Sequence, residues 1–407
     1  MKKIYLDNAA TTPVSPEILA AMEPYFTNKF GNASEPHFWG QEARKAIDEA
    51  REKIANFLGA KPKEIIFTSC ATESINLAHK GLVEAMIRQF PISNFQFPIS
   101  KKPHIITSSV EHKAVLETCK HLEKIGWAKV TYLPVDKYGI VDIKDIRQAI
   151  RPETVLVSIM YTNNEVGTIE PIGKIGRLIK EINQSRISNL KSKIFFHTDA
   201  TQAIQYLDCN VDGLGIDLLS FSGHKLYAPK GIGALYIRSG VPFVRQQDGG
   251  GQEYNLRAGT ENVPYIVALG KAIELVEQNK VHSTKCIEKL KSKLIEGVLK
   301  ISGVKLVGHP TNQAPHIATF IVEGAEGEAM LLLLSDKGIA ASSGSACTSG
   351  LLKPSHVLTA MGYKPQEAHG SLRFSLGKDT TLKEIDYVVK VLPEVIKKLR
   401  KMAPKLI

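Results

Sequence analysis

Ser222-Gly223-His224-Lys225 joins a lysine to an imidazole and a hydroxyl in a small-residue turn, a set of residue types that suits pyridoxal chemistry. A lysine that forms a Schiff base needs a lowered pKa and close placement against its cofactor, and the adjacent imidazole and hydroxyl can contact a phosphate. Asp217–Phe221 (DLLSF) reads as the strand feeding this turn. Tyr227–Arg238 (YAPKGIGALYIR) reads as a turn followed by a second strand, so Lys225 stands at a strand end. Taken alone, the four residues also fit a solvated lysine after a turn, and their context has to decide.

That context comes from the elements on either side. Gln41–Leu58 places Ala43, Ala46, Ile47, Ala50, Ile54 and Leu58 at helical spacing, with Gly59 as the stop. Glu64–Ser69 reads as a strand and Thr72–Met86 as a helix, so Cys70-Ala71-Thr72 forms a strand-to-helix turn. Such a turn presents free amides and a helix dipole to a phosphate, although Thr is also a common plain N-cap. Gln89–Lys102 has two prolines and no clear period and reads as a loop. Strands are then expected at His104–Ser109, Lys129–Val135, Thr154–Thr162 and Lys193–Ala200, and helices at Lys113–Ile125, Ile143–Ile150 and Ile172–Ile182. Alternating elements with continuous apolar strands predict a predominantly parallel α/β sheet covered on both faces.

Ligands of such sheets bind beyond the carboxyl ends of the strands. Glu111-His112 follows one strand, Asn163-Asn164-Glu165 another, and Asp199 with Gln202 a third, so all are directed at the crevice that Lys225 borders. Any one of them could be a capping or core residue; their convergence favours a site. Beyond Val263 the pattern changes. Helices are expected at Pro264–Asn279 and Ser283–Lys300, short strands at Lys305–Leu306 and Ala318–Val322, and a helix at Glu328–Ser335. Gly338–Gly350 (GIAASSGSACTSG) has too little apolar surface to build core and is expected to be mobile. Ser371–Leu376 and a helix over Leu382–Leu399 complete a smaller α+β domain.

With 407 residues the chain exceeds one ordinary core, and two domains are expected. The N-terminal MKKIYLDNAATTP meets Asp7 and Asn8 too early for a secretory apolar region, and no uncharged apolar run is long enough to span a membrane, so a cytoplasmic protein is expected. The five cysteines (Cys70, Cys119, Cys209, Cys286, Cys347) are scattered without a CxxC pair, which argues against a disulfide framework and a zinc ribbon; no metal is expected. A net charge of +11 allows acidic partners, but basic residues are interspersed with acids except near the end of the chain. Solvated helix faces account for them, and no stable nucleic-acid binding is expected.

In order along nearly the whole chain, YLDNAATTP, FTSCATESIN, SSVEHKAVLETC, NNEVGTIEP, HTDATQ, SFSGHK, RAGTEN, SSGSACTS and SLRFSLG make this sequence similar to the pyridoxal-phosphate-dependent cysteine desulfurases of the NifS/IscS type. The resemblance implies an aminotransferase-like fold (fold type I). A large domain, residues 16–262, would hold a mostly parallel seven-stranded sheet. A small α+β domain, residues 1–15 and 263–407, would carry the catalytic cysteine loop at about 338–356. It also implies a homodimer that converts L-cysteine to L-alanine and passes the sulfur to an acceptor, such as an iron-sulfur scaffold protein or the tRNA-thiolation machinery.

Carried over residue by residue, the resemblance makes Lys225 the lysine bonded to pyridoxal 5'-phosphate and Cys347 the persulfide carrier. Asp199 would pair with the pyridine nitrogen, Gln202 would donate to the phenolic oxygen, and His112 would stack on the ring and shuttle protons. Thr72, Ser222 and His224, with the Ala71 and Thr72 amides, would hold the phosphate; Thr260 would reach it from the other subunit. Asn164 would lie on the cofactor's oxygen side. Arg373 would clamp the substrate carboxylate, assisted by Asn32. The other four cysteines are read as structural. Two departures stand out: Cys70 where the family usually has Gly, and Ala33 where it usually has Pro. The competing readings are a related aminotransferase or selenocysteine lyase on the same fold, and a non-catalytic sulfur-relay or tRNA-binding scaffold.

Overall fold

Alternate residues of the central strands are apolar on both sides, and the chain answers with two separate hydrophobic layers. The computed structural model describes residues 3–88, 102–187, 193–344 and 354–402. Most of the expected Gln89–Lys102 loop, and Cys347 with its flanking residues, lie outside them. The strands are β1 (Ile4–Tyr5), β2 (Ile65–Thr68), β3 (His104–Ser108), β4 (Lys129–Leu133), β5 (Thr154–Ser158), β6 (Phe195–Asp199), β7 (Leu218–Ser222) and β8 (Gly233–Ile237). The C-terminal half adds β9 (Val304–Val307), β10 (Ile317–Val322), β11 (Ile339–Ala340) and β12 (Ser371–Ser375).

A seven-stranded sheet runs in the order β2-β8-β7-β6-β5-β3-β4. Its pairings are parallel except at β8, which is antiparallel to both β2 and β7. Residues 223–232 are too few to return a chain by a parallel crossover, so β8 must run back along β7. Within the sheet, Ile65, Ile106, Val157, Phe196 and Leu219 pack into one layer. Their neighbours Ile66, Ile105, Leu156, Phe195 and Leu218 pack into the opposite one, as the two-residue period of a strand requires. The first layer is closed by Phe38–Leu58 and by the first half of the helix Val263–Val298. Where these helices cross, a Cβ on Gly270 would lie 2.7 Å from the Ala50 Cβ, so the crossing needs glycine there.

A three-stranded antiparallel sheet, β12-β10-β9, and the two-stranded parallel pair β1-β11 form the other sheet layers. Phe320, Leu372 and Phe374 pack with Leu294 and Val298 from the long helix, and with Ile385, Val388 and Leu392 from the C-terminal helix Leu382–Met402. Two expected helices thus prove to be one, Val263–Val298. Asn279 and Ser283 looked like a break, but their side chains bond the Leu275 and Asn279 carbonyls within the helix, at 3.0 and 2.5 Å. The strand expected over Thr154–Thr162 ends at Ser158, because the residues after it turn to line a cavity. Short helices at Pro16–Met22, His356–Ala360 and Pro365–His369 carry too few residues for a readable period.

Glu253, Tyr254 and Asn255 form a run of left-handed non-glycine residues, with φ of 46°, 58° and 62°. Such a run is costly unless its surroundings hold it. Arg51 does so: Nη1 and Nη2 each lie 2.7 Å from a Glu253 oxygen, while the Phe67 amide donates to the same carboxylate at 2.9 Å. The guanidinium also lies over the Phe67 and Tyr254 rings, 4.6 and 5.1 Å from their centroids. Both charges are buried. Arg51→Leu is expected to lower the unfolding free energy by about 3–5 kcal/mol, since it leaves a buried carboxylate unpaired. Arg51→Leu combined with Glu253→Leu should lose less. Urea denaturation of the three proteins makes the comparison, and equal losses would mean that the ion pair does not hold the turn.

Candidate active site

The carboxyl ends of β5, β6 and β7, the start of the helix Ala71–Arg88 and the N-terminal strap 9–10 enclose a cavity of about 290 Å³. Gly223 opens the turn that carries Lys225 into it. A side chain on Gly223 would meet Ile232 Cγ2 at 2.8 Å, and its amide already donates to the Ile232 carbonyl at 2.9 Å. The turn therefore lies flat against β8, and Lys225 is aimed at the strap.

Lys225 Nζ donates to the carbonyls of Ala9 and Ala10, each at 2.5 Å. Desolvation, reinforced by the Arg373 charge, lowers its pKa to about 8. Desolvation also holds His224 down at about 4, with Lys225 adding to the effect, and its Nδ1 pairs with the Thr11 hydroxyl at 3.2 Å. Thr12 completes the strap's attachment. Its amide and hydroxyl both reach the His224 carbonyl, and the Tyr227 amide donates to its Oγ1. His112 caps the helix Lys113–Lys124 by accepting the Ala114 amide at Nδ1, so its neutral form carries its proton on Nε2. Its pKa is lowered by desolvation against the opposing pull of Asp199.

Nine of the expected site residues line this one cavity: Ala71, Thr72, His112, Asn164, Asp199, Gln202, Ser222, His224 and Lys225. Arg373 stands behind it. Its Nη2 is 2.9 Å from Asp7 Oδ1 and its Nη1 is 2.7 Å from the Asn164 carbonyl, so the fork expected to await a carboxylate already holds one from the strap. Asn32 and Thr260 are exposed and do not line the cavity within this chain; the Asn32 side chain accepts the Ser34 amide instead. Cys347 is outside the described residues. The reading of the remaining cysteines as structural needs correction. Cys119 and Cys209 are buried, but Cys286 is exposed and Cys70 lines the cavity. The helix pattern around Cys286 gave its element but not its face.

Some contributors escaped the reading of isolated residues. Ala9 and Ala10 act through backbone carbonyls, for which side-chain chemistry gives no signal. Thr162 and Thr201 line the cavity, and with Ser222 their hydroxyls are buried without a hydrogen-bond partner among the described residues. Orphaned buried hydroxyls are costly, so a polar occupant is called for. The unbonded first-turn amides of the helix Ala71–Arg88 add donors on the same wall, suited to an anion. Glu111 and Glu165 lie deeper and do not line the cavity. Desolvation pushes the Glu111 pKa up to about 8 and also raises that of Glu165, whose carboxylate accepts from Ser355 Oγ at 2.5 Å. Among the described residues no cluster of metal-ligating side chains occurs.

The lowered basicity of Lys225 can be read directly. Amine labelling of the cofactor-free protein with trinitrobenzenesulfonate, followed by peptide mass spectrometry, should give a reaction midpoint near pH 8 at Lys225 against roughly 10.4 for an exposed lysine. A midpoint at the ordinary value would show that the strap does not desolvate it.

A family model described as aminotransferase class-V matches residues 4–388. A cysteine desulfurase IscS of Methanosarcina thermophila is 50% identical over 403 residues, which span 99% of this chain and 94% of that one. Among solved structures, a NifS-like protein superposes with a TM-score of 0.87 and 38% identity, covering 97% of this chain and all of the other. SspA in complex with cysteine superposes with a TM-score of 0.77, also at 38% identity, over 93% of this chain and 100% of that chain. With the match spanning nearly its whole length in sequence and in fold, the chain belongs to the class-V aminotransferase family, among its cysteine desulfurases of the NifS/IscS type.

Proposed function

We propose that this enzyme uses pyridoxal 5'-phosphate to take sulfur from L-cysteine, releasing L-alanine and holding the sulfur as a persulfide on Cys347. The observation that carries this reading is Lys225, an amine of lowered pKa, in one cavity with the unpartnered hydroxyls of Thr162, Thr201 and Ser222. The residues present fit the cofactor. Ser222, Thr72 and His224, with the Ala71 and Thr72 amides, would hold its phosphate. Asp199 would pair with its ring nitrogen, Gln202 would donate to its phenolic oxygen, His112 would cover its ring, and Asn164 would flank its oxygen side. When bound, the cofactor supplies an electron sink that weakens bonds at the amino acid's α-carbon.

The chain's own groups do the rest. Arg373 would take the substrate carboxylate by exchanging it for Asp7, with Asn32 assisting from the exposed segment before Phe38. Lys225 Nζ would move the proton at the α-carbon, which its pKa near 8 permits at neutral pH. The Cys347 thiolate would form an S–S bond to the substrate sulfur as the Cβ–S bond breaks, its electron pair passing to the carbon skeleton. Protonation of that carbon, with His112 as donor, gives alanine.

Thr260 would complete the phosphate site from a second subunit. In support of a homodimer, Thr260 is exposed, and so are Phe30, Phe38, Trp39 and Tyr254. The Phe38 and Trp39 rings lie 4.2 Å apart at a tilt and Phe30 meets Trp39 at 5.8 Å, a contiguous exposed aromatic patch of the kind that favours a partner. The separate hydrophobic clusters support a large domain at 16–262 and a small one from 1–15 and 263–407, with the long helix contributing to both. Cytoplasmic transfer of the sulfur to an iron-sulfur scaffold or to tRNA thiolation completes the proposal. No helix among the described residues is long and apolar enough to cross a membrane.

Reconstitution with pyridoxal phosphate should give a yellow protein, and Lys225→Ala should remove its visible Schiff-base band. Cys347→Ser should keep that absorbance but lose sulfide release from L-cysteine at least a hundredfold, on the order expected for a covalent nucleophile. Unchanged turnover in the Cys347 variant would defeat the persulfide reading. Failure of the wild-type protein to take up the cofactor would defeat the pyridoxal one.

A further inference from the structure

Gln202 has two amide orientations of equal shape, and only one turns an N–H toward the cavity. Its Nε2 lies 2.9 Å from the Ala9 carbonyl and its Oε1 lies 3.2 Å from His316 Nε2. The Ala9 carbonyl can only accept, so the group facing it is the NH₂. The Gln202 oxygen can only accept as well, so His316 must carry its hydrogen on Nε2. The NH₂ then has one hydrogen on Ala9 and a second free for whatever occupies the cavity.

His316 is built for this task. It precedes β10, is buried, and stacks on Tyr206 with ring centroids 4.4 Å apart and planes 24° from parallel. Its Nδ1 has no partner, so the Gln202 oxygen decides its tautomer. Desolvation, with Lys291, Arg373 and Lys225 adding to it, holds its pKa down at about 3, so the ring is neutral at any working pH. The Ala9 carbonyl that receives Gln202 also receives Lys225 Nζ, which places histidine, amide, strap and lysine in one hydrogen-bonded chain.

We infer that His316 is a positioning residue that locks the Gln202 side chain with its N–H, not its carbonyl, toward the phenolic oxygen of the cofactor. The inference rests on the pyridoxal reading above. Without His316 only the Ala9 carbonyl still holds the amide, so the flipped state gains population, and a carbonyl facing an anionic oxygen repels it. An anion that loses a donor binds a neighbouring proton more tightly, so the bound cofactor must titrate at higher pH. The other charged or titratable groups around it are Asp7, Cys70, Asp199, His112, His224, Lys225 and Arg373, with Tyr206 and Lys291 beside His316, and the substitutions below leave each of them in place.

The test is the pH midpoint of the visible absorbance change in the pyridoxal-phosphate-loaded enzyme. His316→Phe keeps the stack on Tyr206 and removes the donor; its midpoint should rise by about one pH unit, the worth of one hydrogen bond to a charged group. His316→Leu also gives up the stack and should show the same rise, which keeps the test alive if the Phe variant does not fold. His316→Gln, which restores an N–H at the right reach, should bring the midpoint back. In a Gln202→Leu background, His316→Phe should add nothing, because the two residues act as one unit. An unchanged midpoint in the folded His316 variants overturns the inference, and so does a further full shift on top of Gln202→Leu. A wild-type protein without the absorbance band overturns the pyridoxal reading itself, and this inference with it.

Discussion

A lysine amine held on two backbone carbonyls, with Asp7 and Asp199 near but no direct ion pair to it among the described residues, is the constraint from which the site follows. Carbonyl dipoles accept hydrogen bonds from Lys225 but carry no full charge to stabilise its proton, and Arg373 opposes that proton further. The amine therefore sits close to the pH at which it can give the proton up. Everything that supports the arrangement serves to bring the strap over the sheet. Thr12 fastens it to the lysine turn, Gln202 and His224 fasten it to the floor, and Arg373 fastens Asp7 from the neighbouring sheet.

The sheet and its strand ends were largely legible from patterning. Continuous apolar strands alternating with amphipathic helices imply one architecture, and Asp199, His112, Asn164 and Lys225 stand where that architecture exposes polar residues. Illegible were the relations that depend on distant parts of the chain. Nothing local in SLRFSL says that Arg373 meets Asp7, whose position is 366 residues earlier. Local composition was also misleading at Asn279 and Ser283, where two polar side chains satisfy helix carbonyls instead of ending the helix. The direction of β8 could have been read from the shortness of the link before it. The exposure of Cys286 could not, because which face of its helix is covered depends on elements distant in the chain.

Two kinds of buried charge occupy different places in this molecule. Arg51 and Glu253 are joined by two hydrogen bonds and fix the shape of a strained turn, whose downstream residues lead to Thr260. For Glu111 and Glu165, at the base of the loops after β3 and β5, desolvation dominates instead and raises their pKa values. Glu111 accepts from Ser108 Oγ and the Met160 amide; Glu165 accepts from Ser355. The first arrangement resists deformation through charge.

The strap also sets the order in which the molecule can be completed. Residues 7–12 are made well before their partners Gln202, His224, Lys225, Arg373 and Ser375, which lie 193 to 366 residues further along the chain. Contacts of such long sequence separation form late, since the loop they close must first exist. A nascent chain that has already folded its central sheet still lacks a roof over the lysine, because Arg373 and Ser375 have not been made. The pocket thus closes only once residues 373–375 exist, and a product that stops before them is left with an open, solvated amine instead of a half-working catalyst.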